Sequence, residues 1–199
     1  MKIVHIGATG TLGSAVVTEL APRHEIIQVG HQRGQLQVDI TNSDSIKTLF
    51  ERIGKVDAII ATTGNLHFGP LTQMTAEQFR IGLNSKLLGQ VDLALIGQHY
   101  LNDAGSITLT SGIVANQPIR LGANASAVNS AIEGFVLGAA IELARGIRIN
   151  VVSPTILEES MGIYGDFFAG FEAVPARRAA LAFRRSVEGA QTGQVYQVV

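Results

Sequence analysis

A chain of 199 residues fits one domain, 1–199, and at this length a folded chain buries roughly 70% of the surface its unfolded form exposes. Hydrophobic residues at 46% and charged residues at 16% exclude intrinsic disorder, and a net charge of −1 gives no electrostatic footprint for nucleic acid or an anionic membrane. The absence of cysteine excludes disulfides, thiolate nucleophiles and Cys-ligated zinc, and fits a cytoplasmic location.

Lys2 precedes only a few apolar residues before a glycine turn, so the N-terminus does not read as a signal peptide. Lys2 to Ile6 reads as a first strand, and Leu12 to Leu20 carries apolar residues at helical spacing. Glu25 to Val29 is a second strand and Leu36 to Val38 a short third. Only a handful of residues separate these two, whereas a helical crossover between parallel strands needs roughly a dozen or more. The helix expected there is therefore reduced to a bare loop, Gly30 to Gln35. Ser43 begins the next helix as its N-cap, with Ile46, Leu49, Phe50 and Ile53 on the inner face. Asp57 to Ala61 is a fourth strand, followed by a long helical stretch from about Thr75 to Tyr100. Ser106 to Thr110 is a fifth strand, Ala125 to Ala144 a helix, and Ile147 to Val152 a sixth strand. No apolar run is long enough to span a membrane, since Glu142 interrupts the longest candidate, Gly134 to Ala144. Beyond Pro154 lies a glycine- and aromatic-rich loop, then a helix around Val174 to Val187 and a strand at Val195 to Val199. This alternation predicts a single doubly wound α/β domain of Rossmann type, with a mostly parallel sheet of about seven strands.

The segment Gly7-Ala8-Thr9-Gly10-Thr11-Leu12-Gly13 joins the first strand to the first helix. A dinucleotide pyrophosphate docks at such a junction, because glycines let the backbone approach and the helix N–H groups meet the phosphate charge. The spacing is GxxGxxG rather than GxGxxG. NAD sites usually carry an acidic residue about 20 residues further on, for the ribose 2′-hydroxyl. This chain has His31 and Arg33 there and no carboxylate between Val29 and Gln37. A guanidinium suits a 2′-phosphate, which favours NADP over NAD. Asp39 either hydrogen-bonds the adenine amino group or is an ordinary turn residue.

Taken in order, these segments resemble the short-chain dehydrogenase/reductase family over nearly the full length. The resemblance rests on the Gly7–Gly13 turn, Val38-Asp39-Ile40-Thr41, and the Thr62-Thr63-Gly64 ending of the fourth strand. It extends through Gly69-Pro70-Leu71 with Phe79 and Asn84, Ser106 to Ser111, and Ala125-Ser126-Ala127 through Phe135. Ile147 to Pro154 and Thr192-Gly193-Gln194 complete it. The resemblance implies a nicotinamide cofactor and hydride transfer to or from a small carbonyl or alcohol. It also implies homodimers or homotetramers built on the two long helices. Gly7, Thr9, Gly10, Thr11, Leu12 and Gly13 then hold the pyrophosphate, and His31 and Arg33 the 2′-phosphate. Asp39 and Ile40 frame adenine, Thr62, Thr63 and Gly64 the adjoining ribose, and Pro154 with Thr155 lies near the nicotinamide.

The family's catalytic set is an Asn, a Ser and a Tyr-x-x-x-Lys pair. Asn84 and Ser111 match it, but the tyrosine position reads Ala125 and the lysine position Asn129. A one-residue shift puts Asn124 and Val128 there and restores neither. Hydride transfer to a carbonyl still needs a proton or donor dipole at the oxygen. The expected catalytic residues are therefore Ser111, Asn84 and Asn129, with a held water as relay. Lys86, two residues past Asn84, is a candidate substitute for the missing cation, but on a regular helix it falls on another face. Tyr164 in the late loop is either a lid phenol or packing. The five histidines have no metal-ligand spacing, and no metal site is expected. Two readings stand beside the enzyme: a sensor of NADP(H) without turnover, and a structural partner in a hetero-oligomer.

Overall fold

The Val- and Ile-rich runs become the strands of one sheet. The computed structural model describes residues 1–199, with β1 (Lys2–Ile6), β2 (Glu25–Gly30), β3 (Leu36–Gln37), β4 (Val56–Ala61), β5 (Leu101–Thr110), β6 (Arg148–Pro154) and β7 (Val195–Val198). Their spatial order is β3-β2-β1-β4-β5-β6-β7, and every pairing is parallel. This is the doubly wound order, in which the chain reverses direction between β1 and β4 and leaves a crevice at the strands' C-terminal ends.

The connecting helices are α1 (Thr11–Leu20), α2 (Ser43–Ile53), α3 (Ala76–Gly82), α4 (Gly89–Gly97), α5 (Ala123–Glu142), the short α6 (Met161–Tyr164) and α7 (Ala176–Glu188). Leu49, Phe50, Leu93, Ile132 and Val136 from α2, α4 and α5 form one core against the sheet. Val16, Leu20, Ala180 and Phe183 from α1 and α7 form the other, on the opposite face. The β2–β3 crossover is a bare loop, and β3 pairs through only Val29↔Leu36 and Gly30↔Gln37.

Two local expectations are corrected. The N-cap of α2 is Asn42 rather than Ser43, because the Asn42 side chain accepts from the backbone N–H of Asp44 and Ser45. The long helical stretch is continuous but irregular: a π-helical turn, Leu83–Leu88, joins α3 to α4. Each π turn adds a residue to the helical repeat and changes which side chains face inward.

Candidate active site

The glycine turn ends β1 under a helix end that no side chain satisfies. Gly10 is the N-cap of α1, with no side-chain cap and no acidic residue in the first turn. The leading N–H groups of a helix lack internal partners, so this end suits an anion. A Cβ on Gly13 would collide with the Gly7 carbonyl oxygen, so only glycine lets the helix start this close to the strand. Thr9 lies beside Gly30, at the end of β2. Next to the turn is a cavity of about 400 Å³ lined by Gly7, His31, Asp39, Ile40, Thr63 and Gly64, among others.

The sugar-side candidates differ in placement. His31 lines this cavity, whereas Arg33 is exposed in the same loop and does not line it. Asp39 accepts from both the backbone N–H and the hydroxyl of Thr41, at 2.9 and 2.7 Å. Those two bonds hold its carboxyl below the usual range, with His31 adding a smaller effect. Thr62 donates to the Gly7 carbonyl at 3.1 Å and pairs with the buried His5 ring at 2.9 Å.

Gly64 and Asn65 also line a second cavity of about 310 Å³, so the two spaces meet at the end of β4. Its polar walls include Lys86, Thr110, Ser111, Asn129, Thr155 and Tyr164. The apolar wall is built by Ile113, Val114 and Ala125 with Leu66, Phe68 and Phe168. Above it, the Phe68 ring meets Tyr164 and Phe167 at centroid separations of 5.8 and 5.1 Å, which closes the late segment over the site. Pro154, the last residue of β6, and Thr155 form the opposite rim.

Three side chains brace this cavity. Gln90 is fully buried and clamps the end of β5, accepting from the Thr110 N–H at 2.8 Å and donating to its carbonyl at 2.9 Å. Glu133 of α5 lies behind Ser111 and accepts the Ser111 hydroxyl at 2.8 Å, the Ser153 hydroxyl at 2.9 Å and the Asn116 amide at 3.1 Å. Asn124, the shifted tyrosine position, is structural: it donates to the Phe79 carbonyl and accepts from the His67 N–H.

The structure separates the expected catalytic residues. Ser111 and Asn129 line the cavity, and the buried Asn129 Oδ1 has no protein partner. Asn84 is exposed and lines neither cavity. Instead Lys86 enters, with Nζ donating to the Ser111 carbonyl at 3.0 Å. Burial alone lowers its ammonium to about 8. The π-helical turn explains the exchange, because the expectation for both residues assumed a regular helical repeat. Gly64, at φ +112°, packs on the Lys86 backbone where any Cβ would overlap it, so the strand end and the lysine are fitted to each other. One signal in the sequence pointed this way: Lys86 is the only charged residue between Arg80 and Asp92.

Known proteins resemble this arrangement along its whole length. A family model described as Enoyl-(Acyl carrier protein) reductase matches residues 12–197. The chain belongs to the short-chain dehydrogenase/reductase family. A crystal structure of the protein lin1944 from Listeria innocua is 53% identical, covers 100% of both chains and superposes with a TM-score of 0.99. Another family structure, a small-chain dehydrogenase solved in complex with NADPH, is 27% identical at TM-score 0.89, covering 100% of this chain and 96% of its own. Among curated relatives, the hydroxynaphthalene reductase of Aspergillus fumigatus is 27% identical over 143 residues, 69% of this chain and 52% of that protein. The chain thus spans about half the length of these curated relatives. No helix is long and apolar enough to cross a membrane.

Proposed function

We propose that the chain is an NADP(H)-dependent oxidoreductase acting on a small carbonyl or alcohol through an atypical site. The observation that carries this reading is the pair of cavities meeting at Gly64 and Asn65, one beside the uncapped glycine turn and one beside Ser111. A nicotinamide cofactor supplies hydride exchange when bound. The residues fit such a group: the helix end of α1 lacks a cap, and the Gly7–Gly13 cradle has no room for a Cβ at Gly13.

In this reading Gly7, Thr9, Gly10, Thr11, Leu12 and Gly13 take the pyrophosphate, and Thr62, Thr63 and Gly64 the adjoining ribose. Asp39 and Ile40 frame the adenine, while Pro154 and Thr155 border the nicotinamide. Asn129 Oδ1, buried without a partner, accepts from a ligand hydroxyl, because an unpaired buried acceptor costs about 1–3 kcal/mol. Asn84, being exposed, is left out of the chemistry. The NADPH held by the 27% identical relative supports the cofactor, and Arg33 with His31 supports the phosphorylated form. A cytoplasmic setting fits the cysteine-free composition.

Fluorescence titration tests the reading. NADPH binds more tightly than NADH, and Arg33→Ala weakens NADPH about tenfold or more while sparing NADH. Equal affinities that Arg33→Ala leaves unchanged contradict the preference, and no binding of either cofactor contradicts the function. The replacement of the phenol position by Ala125 favours one alternative, a sensor that binds NADP(H) without turning it over.

A further inference from the structure

Only two side chains lining the Ser111 cavity, Lys86 and Tyr164, carry an ionisable proton. Ser111 spends its hydroxyl hydrogen on Glu133, whose two oxygens also take Ser153 and Asn116. Its oxygen therefore faces a ligand as an acceptor, not as a donor. Ala125 has no polar atom, and Asn129 has an amide, which does not release a proton at neutral pH. Among the cavity walls, Lys86 is the one charged side chain. Of its three N–H bonds one goes to the Ser111 carbonyl, and the other two have no protein partner.

We propose that the Lys86 ammonium is the proton donor of this site, delivering its proton to the carbonyl oxygen of the substrate while Ser111 and Asn129 accept from ligand hydroxyls. The proposal rests on the oxidoreductase reading above. The step balances simply. The carbonyl carbon gains a hydride from the nicotinamide, the C=O π pair moves onto oxygen, and one Lys86 N–H bond breaks as the O–H bond forms. The neutral amine then regains a proton from solvent, and alcohol oxidation runs the same path backwards. The substrate class follows from the walls: an uncharged or aromatic ketone or aldehyde, seated among Leu66, Phe68, Ile113 and Phe168, with its oxygen toward the lysine.

The groups facing Lys86 are few enough to assign its titration. From the late segment, Tyr164 is the other ionisable side chain on the cavity wall. From α5, Glu133 stands behind Ser111 with its oxygens occupied. From the cofactor side, Asp39 and His31 line the adjoining cavity beyond Gly64 and Asn65. Desolvation keeps the lysine near 8, close enough to neutrality to give up a proton in the reaction and recover it afterwards.

The test uses the full chain with NADPH and two carbonyl probes, 9,10-phenanthrenequinone and 4-nitrobenzaldehyde. Wild-type kcat for reduction falls as the pH rises through about 8, because the donor must be protonated. Lys86→Gln and Lys86→Met lower kcat about 10²- to 10⁴-fold with NADPH affinity retained. Lys86→Arg, whose guanidinium stays protonated, removes the fall from the accessible pH range. A second readout needs no variant and no turnover: trace acetylation of the cofactor-free protein, followed by mass spectrometry, gives Lys86 a midpoint near 8. A midpoint near the ordinary value of about 10.4 overturns the proposal. So does an unchanged kcat in Lys86→Gln, a falling limb that moves with Tyr164→Phe and not with Lys86, or NADPH binding by the wild type without reduction of either probe. Failure of the wild type to bind NADPH is a different result, which removes the oxidoreductase reading itself.

Discussion

His5 shows how a single buried side chain makes this fold sensitive to acid. It sits in β1 with 0% exposure, Nε2 paired to Thr62 and Nδ1 without a partner. Burial pushes its imidazole from the ordinary 6.5 down to about 3. The unfolded chain therefore takes up a proton near pH 6.5 that the folded chain refuses until about pH 3. The neutral ring's contribution to stability is complete above pH 6.5. It is lost on acidification through that window, at about 1.4 kcal/mol per pH unit at most. Urea unfolding at pH 7, 5 and 4 should show a shallower acid loss in His5→Gln than in wild type, and parallel profiles contradict this. The same scale marks the limit of reading side chains from sequence. Ser111 directly follows β5 and Asn129 lies on α5, so their place on the cavity wall could be anticipated from the elements that carry them. Lys86 was a candidate cation set aside because a regular helix turns it away, and the π turn that brings it inward was not legible. Nor was Glu133, which depends on three donors converging from the residue after β5, from β6 and from the 113–116 turn. Glu133→Ala leaves those neutral donors facing a void and should cost about 1–3 kcal/mol in urea unfolding. A loss within 0.5 kcal/mol, the range of an ordinary surface change, speaks against the brace.

Elements were read more reliably than their ends. The runs at Lys2–Ile6 and Glu25–Val29 pair in register from Lys2↔Glu25 to Ile6↔Val29, because β1 is buried from Ile3 to Ile6 and its branched residues have few alternatives. Strand β5 begins at Leu101, five residues before the run starting at Ser106, since Asn102, Asp103 and Ala104 are exposed and lack strand-like burial. At the start of α2, Asn42 carries the cap by accepting at 2.9 and 3.1 Å, and adjacent Asn and Ser are nearly equal caps by residue type. Asn42→Ala should lower stability by about 1 kcal/mol, and Ser43→Ala by less. Thermal or urea unfolding decides between them, and the reverse order would return the cap to Ser43.

At the level of the whole molecule, the parallel sheet and its switch point between β1 and β4 explain why the glycine turn and the Ser111 cavity share one crevice. The doubly wound parallel sheet was legible in the strand–helix alternation, and the bare β2–β3 loop through its length alone. Association was not legible in the residues themselves. Exposed Leu95, Leu137 and Ile141 on α4 and α5 support pairing of copies through these helices. Sedimentation velocity should then give a dimer or tetramer of the 21.1 kDa chain, dissociated by Ile141→Arg, whereas a wild-type monomer contradicts the pairing.

The most direct measurement is a crystal structure of the chain grown with NADPH. The expected result is the pyrophosphate against the backbone of Gly7–Gly13, the 2′-phosphate beside His31 and Arg33, and the nicotinamide in the cavity lined by Lys86 and Ser111. A dinucleotide bound elsewhere, or a nicotinamide turned away from Lys86, contradicts it.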